Sequence, residues 1–133
     1  MKEVTKLMIH KWNMDDVDWM GYRLHKDDIF TFHHLIVPNR DGGLYVEWNG
    51  AILCGKSAHP YLHLIEQKDF DRFAYITSLL IDENAMKRLD LNTIKQIDAI
   101  LKGFEREYQG KTNKKGKLLI KERYTIRDYS KLK

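Results

Sequence analysis

Four of the chain's six histidines lie between positions 33 and 63, as an adjacent pair, His33 and His34, and a pair four residues apart, His59 and His63. A fold that uses them together has to bring two kinds of segment into contact. Phe30–Val37 (FTFHHLIV) is rich in β-branched and aromatic residues and reads as a strand. On a strand, neighbouring side chains point to opposite faces, a rule that loosens at the strand end. His59 and His63 follow Ser57, a good helix-capping residue, and Pro60 falls in the first turn, where a missing amide donor does no harm. One turn apart, their rings project from one helix face, together with Glu66 one turn further on. Between the two segments come the turn Pro38-Asn39-Arg40-Asp41-Gly42-Gly43, a returning strand or extended segment over Leu44–Trp48, a tight Asn49-Gly50 turn of type I′ and the short apolar run Ala51–Cys54. The window therefore asks for a strand, a return and a helix packed on it, within an α+β domain.

The flanks supply the rest of the core. Glu3–Ile9, with Val4, Leu7 and Ile9 apolar, reads as an opening strand, Met14–Trp19 as a loop whose aspartates are solvated, and Gly21–Leu24 as a short strand. Asp69–Leu80 places Phe70, Phe73, Ile76 and Leu80 on a helical stripe. A third helix, capped by Asp90 or Asn92, carries Ile94, Ile97, Leu101, Phe104 and Tyr108 on one face and stops at Gly110. That face has two destinations, the core or a partner helix in a homodimer or another protein, and the core is the favoured one. Lys117–Ile126 reads as a last strand before a frayed end. Trp12, Trp19 and Trp48 are expected to anchor the core, with base stacking as the alternative. With 133 residues, two prolines and no repeat, a single domain over 1–133 is expected.

Charge and cysteine content narrow the function classes. Net charge is +4, but the segment from Gly110 onward concentrates lysine and arginine. It is either a phosphate-neutralising patch or a solvated basic tail. Cys54 is the one cysteine, which excludes an internal disulfide and a Cys-x-x-Cys zinc knuckle and suggests a reducing, cytoplasmic compartment. No apolar run is long enough to span a membrane.

Three imidazoles around one cation would leave coordination positions open for water or a phosphate oxygen, as catalytic rather than structural sites do. A further neutral imidazole, with an unperturbed pKa of about 6.5, suits a general base at neutral pH. The pattern FHHLIVP, Gly42-Gly43, WNGAILC and SAHPYLH resembles the HNH (ββα-metal) endonucleases in their His-His variant. The separations agree: 15 residues from His34 to Asn49, 10 to His59 and 4 to His63. The resemblance covers about positions 31–66 and implies a ββα-metal centre, followed here by a helical C-terminal half and a basic tail. It implies that His33, His59 and His63 hold one divalent metal ion (Mg²⁺, Mn²⁺, Ni²⁺ or Zn²⁺), that His34 takes a proton from the attacking water, and that Asn49 orients the His34 segment. The expected activity is hydrolysis of DNA phosphodiester bonds with low sequence specificity. Arg40, in the loop after the first strand, is the candidate phosphate clamp by position alone. The alternative is a non-catalytic HNH-like scaffold that binds nucleic acid or protein. Either would suit a phage or mobile-element accessory protein. A fourth histidine closing the metal site would favour the scaffold. Pro60 and the absence of paired cysteines depart from many members of the family.

Overall fold

The opening segment, with its apolar Val4, Leu7 and Ile9, does not make the expected strand. The structure, a computed structural model, describes residues 1–130, and Glu3–Lys11 is a helix, α1. Thr5 and Met8 are its buried residues, Val4, Ile9 and Trp12 pack beside them, and Leu7 is exposed. That set recurs every three to four residues, the period of a helix, whereas Val4, Leu7 and Ile9 do not share one face of a strand. Trp12 then stacks on Trp19, ring centroids 4.2 Å apart.

Two strands form the sheet. β1 (Phe30–His34) pairs antiparallel with β2 (Gly50–Cys54), from Phe30 opposite Cys54 to His34 opposite Gly50. The returning segment expected at Leu44–Trp48 is therefore not the partner strand. Asn49 ends a short 3-10 turn over Glu47–Asn49, and Gly50 has a φ of −138°. A type I′ turn needs positive φ at both central residues, so Asn49-Gly50 is not one. Gly50 is needed for space: a Cβ there would run into the Phe32 ring.

Helices cover the sheet. α2 is Ala58–Lys68, α3 is Phe70–Met86 and α4 is Leu91–Tyr108. Ser57 holds the cap position of α2, but its hydroxyl makes no capping bond. Asp69 caps α3 by accepting from Arg72 N, and Asp90 caps α4 by accepting from Asn92 N. The α4 stripe turns inward: Ile94, Ile97, Leu101 and Phe104 are all fully buried. Burying a side chain of this size contributes about 1.5–3 kcal/mol.

The acidic loop before β1 is not solvated throughout. Asp18 is fully buried and accepts from the amides of Met20, Tyr22 and Cys54, at 2.8, 2.9 and 2.8 Å. It thereby ties residues 18–22 to β2. The expected strand at Gly21–Leu24 is reduced to a bridge between Val17 and Arg23.

The basic C-terminal segment is neither a strand nor a frayed tail over its described part. A bridge joins Thr112 to Leu118, and Glu122–Thr125 is a short helix, α5. Ile120 and Tyr124 are buried, and Tyr124 stacks on Tyr61 at 4.7 Å. Arg127 is turned inward onto Asp98 and Glu105. Positions 131–133, the end of the expected tail, lie outside the described residues. Among those described, no helix is long and apolar enough to cross a membrane.

Candidate metal centre

β1 ends where α2 begins to cover the sheet, and this brings three of the four histidines together. One ring nitrogen from each of His33, His59 and His63 lies within 4.8 Å of the others. Ring centroids are 5.1 Å apart for His33–His59, 5.3 Å for His33–His63 and 5.0 Å for His59–His63. His33 is buried, His59 half-buried and His63 exposed, so the cluster runs from the core to solvent.

Hydrogen bonds fix which nitrogens face the cluster. The Thr31 hydroxyl donates to the Leu53 carbonyl at 2.9 Å and meets His59 Nδ1 at 2.7 Å. Its one proton being committed to Leu53, it accepts from Nδ1–H, and the His59 Nε2 lone pair is left free. His63 Nδ1 lies 3.2 Å from Glu66 Oε1. A carboxylate there accepts from Nδ1–H and leaves Nε2 free in the same way.

His33 is the exception. Both of its ring nitrogens are buried and have no hydrogen-bond partner. A neutral imidazole carries one donor and one acceptor, and leaving a buried polar group unsatisfied costs about 1–3 kcal/mol. A cation that takes the lone pair removes the acceptor's share of that cost, while the N–H on the other nitrogen stays unpaired. Burial, and then the nearby His59, His63 and His34, hold His33 well below the ordinary imidazole pKa. Burial, with His63 and His34, lowers His59 to about 4. Both rings are thus neutral at pH 7, the form that ligates metal. The donor set suits a borderline transition ion such as Zn²⁺ or Ni²⁺ better than Mg²⁺.

His34 stands outside the cluster but lines the same cleft, a cavity of about 680 Å³. Its ring meets Tyr45 edge-on at 4.7 Å and Phe32 at 5.0 Å. Burial lowers its pKa, and a hydrogen bond to the Gly43 backbone works against that shift. Nε2 is buried and without a partner, which leaves Nδ1 as the donor to Gly43. Gly43 reaches this position only as glycine, because a Cβ would collide with the Val37 carbonyl oxygen.

The side-chain hydrogen bonds of Asn49 go to the loop after His34 and not to the histidines. Its Oδ1 accepts from the amides of Ile36 and Val37, at 2.9 and 2.8 Å. Its Nδ2 donates to the carbonyls of Val37 and Leu44, at 3.0 and 3.2 Å. Its backbone carbonyl accepts from Leu35 N at 2.8 Å. The side chain is buried and staples the segment after His34 to the segment after Gly43. Arg40, in the turn Asn39–Asp41, lies on the cleft wall with an exposed side chain.

Trp48, expected in the core, is 54% exposed. Thr31 and Tyr45 carry no signal of their own in the sequence, and Glu66, which shares the helix face of His59 and His63, lies beside the His63 ring. Thr31 precedes His33 by two residues and Glu66 follows His63 by three, spacings that place each beside its histidine's face. The cleft wall opposite the cluster comes from α3, through Phe70, Phe73, Ala74, Thr77 and Ile81. Comparison of the chain with family models, with characterised proteins and with solved structures gives no match.

Proposed function

We propose that the chain is a metal-dependent nuclease of the HNH, ββα-metal, kind that hydrolyses DNA phosphodiester bonds with little sequence preference. One observation carries this reading. Three imidazoles converge on one point, while a fourth lines the same cleft with a buried, unpartnered nitrogen. A closed structural site would recruit the fourth ring; a hydrolytic site needs it unligated.

In this reading His33, His59 and His63 are the ligands, and a bound divalent ion supplies Lewis-acid stabilisation of phosphate charge. His34 is the base in this reading: its Nε2, buried in the resting structure, has to be opened to the cleft to take a proton from water, and the Gly43 carbonyl at Nδ1 steadies the imidazolium that results. Asn49 keeps the His34 and Gly43 segments in register through its four side-chain bonds. Arg40 presents its guanidinium to a backbone phosphate from the cleft wall.

The test is cleavage of supercoiled plasmid and of circular single-stranded DNA by the purified protein with Mg²⁺, Mn²⁺, Ni²⁺ or Zn²⁺, with EDTA as control. The expected result is metal-dependent cutting of at least one substrate, slowed roughly 100-fold or more in His34→Ala. That variant should still bind metal, because His34 is not a ligand. Folded, metal-loaded protein that cuts neither form would overturn the nuclease reading in favour of a non-catalytic binding scaffold.

A further inference from the structure

The nature of the cleft beyond the histidines bears on what kind of nucleic acid enters it. Duplex binders neutralise phosphates on two strands with several lysines and arginines. Here Arg40 is the one lysine or arginine among the described residues lining the cleft. The opposite wall is apolar and aromatic. Phe70 and Phe73 sit one turn apart on α3, ring centroids 5.7 Å apart, and Phe73 reaches the His33 ring edge-on at 6.4 Å. The rings thus form a continuous series from solvent to the metal cluster. Phe70, at its outer end, is 62% exposed. One turn beyond Phe73 on the same face, the Thr77 hydroxyl has no hydrogen-bond partner.

A phosphate-binding end beside an aromatic wall complements a nucleotide whose base is unpaired and free to lie flat. Bases inside a duplex offer only their edges, whereas a single strand offers its faces, and aromatic side chains bind these with little regard to sequence. The geometry points to single-stranded nucleic acid as the ligand of this cleft, with a base stacked on Phe70 and Phe73 and its phosphate at the histidine cluster. This assignment of substrate class rests on the nuclease reading above for its biological meaning, but the binding it requires is measurable without turnover.

The experiment is fluorescence anisotropy in EDTA, at fixed salt, with labelled oligothymidylate, oligouridylate and a duplex hairpin of equal length. At least one single strand is expected to bind roughly tenfold or more tightly than the hairpin. Phe70→Ala should weaken single-strand binding roughly five- to hundredfold, the range for loss of one stacked base. Phe70→Tyr keeps the ring and should retain binding. Tyr75→Ala removes an exposed aromatic from the same helix, outside the cleft, and should leave binding unchanged. Hairpin binding as tight as both single strands, or undiminished single-strand binding by Phe70→Ala, would overturn the assignment. The two readings fail separately. Metal-dependent cutting with no single-strand preference removes only this one, and Phe70-dependent binding without cutting under any ion removes only the nuclease.

Discussion

A hydroxyl that already donates to a carbonyl can only accept from an imidazole, and on this the tautomer of His59 depends. Thr31 occupies that position between Leu53 O and His59 Nδ1. Thr31→Val removes the acceptor at almost constant volume and lets the His59 proton move to either nitrogen. We expect a fall in Zn²⁺ affinity of about 10–100-fold, the usual cost of losing a partner behind a metal-ligating histidine. Competition with a chromophoric chelator measures it; unchanged affinity would mean that Thr31 does not hold the ring. At this scale the sequence was informative about the candidate ligands, three of which the fold brings together, and less so about what supports them. His33, His34, His59 and His63 are conspicuous because imidazoles are few and their spacing is periodic. Thr31 is an ordinary strand residue until Leu53 is known to lie opposite it. The Gly43 contact to His34 depends on how a nine-residue span folds back, which no local pattern encodes.

The elements followed the sequence where periodicity was long and departed from it where it was short. The helices α3 and α4 have stripes of four or more apolar residues, and the expected stripes are on them. The opening segment has three apolar positions, too few to fix a period, and packing of Met8 and Trp12 decided for the helix. The loop from Leu35 to Asn49 has little regular structure beyond two short 3-10 turns, and its shape comes from Asn49. Asn49→Ala would leave the Ile36 and Val37 amides without their shared acceptor. The expected loss of stability is about 1–3 kcal/mol by urea unfolding, with cleavage reduced at least about tenfold because the His34–Gly43 contact is no longer held. Asn49→Asp keeps the acceptor but loses both donated bonds, and should fall between wild type and Asn49→Ala. Cleavage and stability both at wild-type levels in Asn49→Ala would exclude the stapling role.

The molecule is closed by charge as well as by its core. Arg127, with a side chain only 4% exposed, donates from Nε to Asp98 at 2.5 Å, and from Nη1 and Nη2 to Glu105 at 2.8 and 3.2 Å. Composition put this arginine with a basic tail because a count of charges does not reveal which ones have buried partners. Arg127→Met takes the shared partner from two buried carboxylates, leaving Asp98 with Lys102 and Glu105 with the Tyr61 hydroxyl, and a loss of about 3 kcal/mol is expected. Burial pushes Asp98 up, but Arg127 and Lys102 outweigh it and leave its pKa below the ordinary value. Its contribution to stability is therefore present above the ordinary carboxylate range and lost as pH falls through the lowered value. Glu83 works the other way. Fully buried, with Asp18 and Asp90 near, it is pushed by burial to about 9. Its contribution is full below its ordinary value of 4.5 and lost as pH rises toward about 9. Asp18, raised by burial to about 6, adds to the same trend. Thermal unfolding from about pH 3 to about pH 10 should show a maximum at about pH 4–5, and Arg127→Met should lose most of the acid limb. A profile that keeps rising into alkaline pH would contradict the Glu83 assignment. The same closure sets an order of events during synthesis. Tyr22 donates its hydroxyl to the Tyr124 carbonyl, Asp128 N donates to Gly21 O, and Arg23 pairs with Asp128. A ribosome adds residues from the N-terminus at about 5–20 per second, so the segment around Gly21 waits several seconds for its partners. Until then the early loop and the strands it braces remain exposed to chaperones and to premature association, although the three clustered histidines and His34 have already emerged.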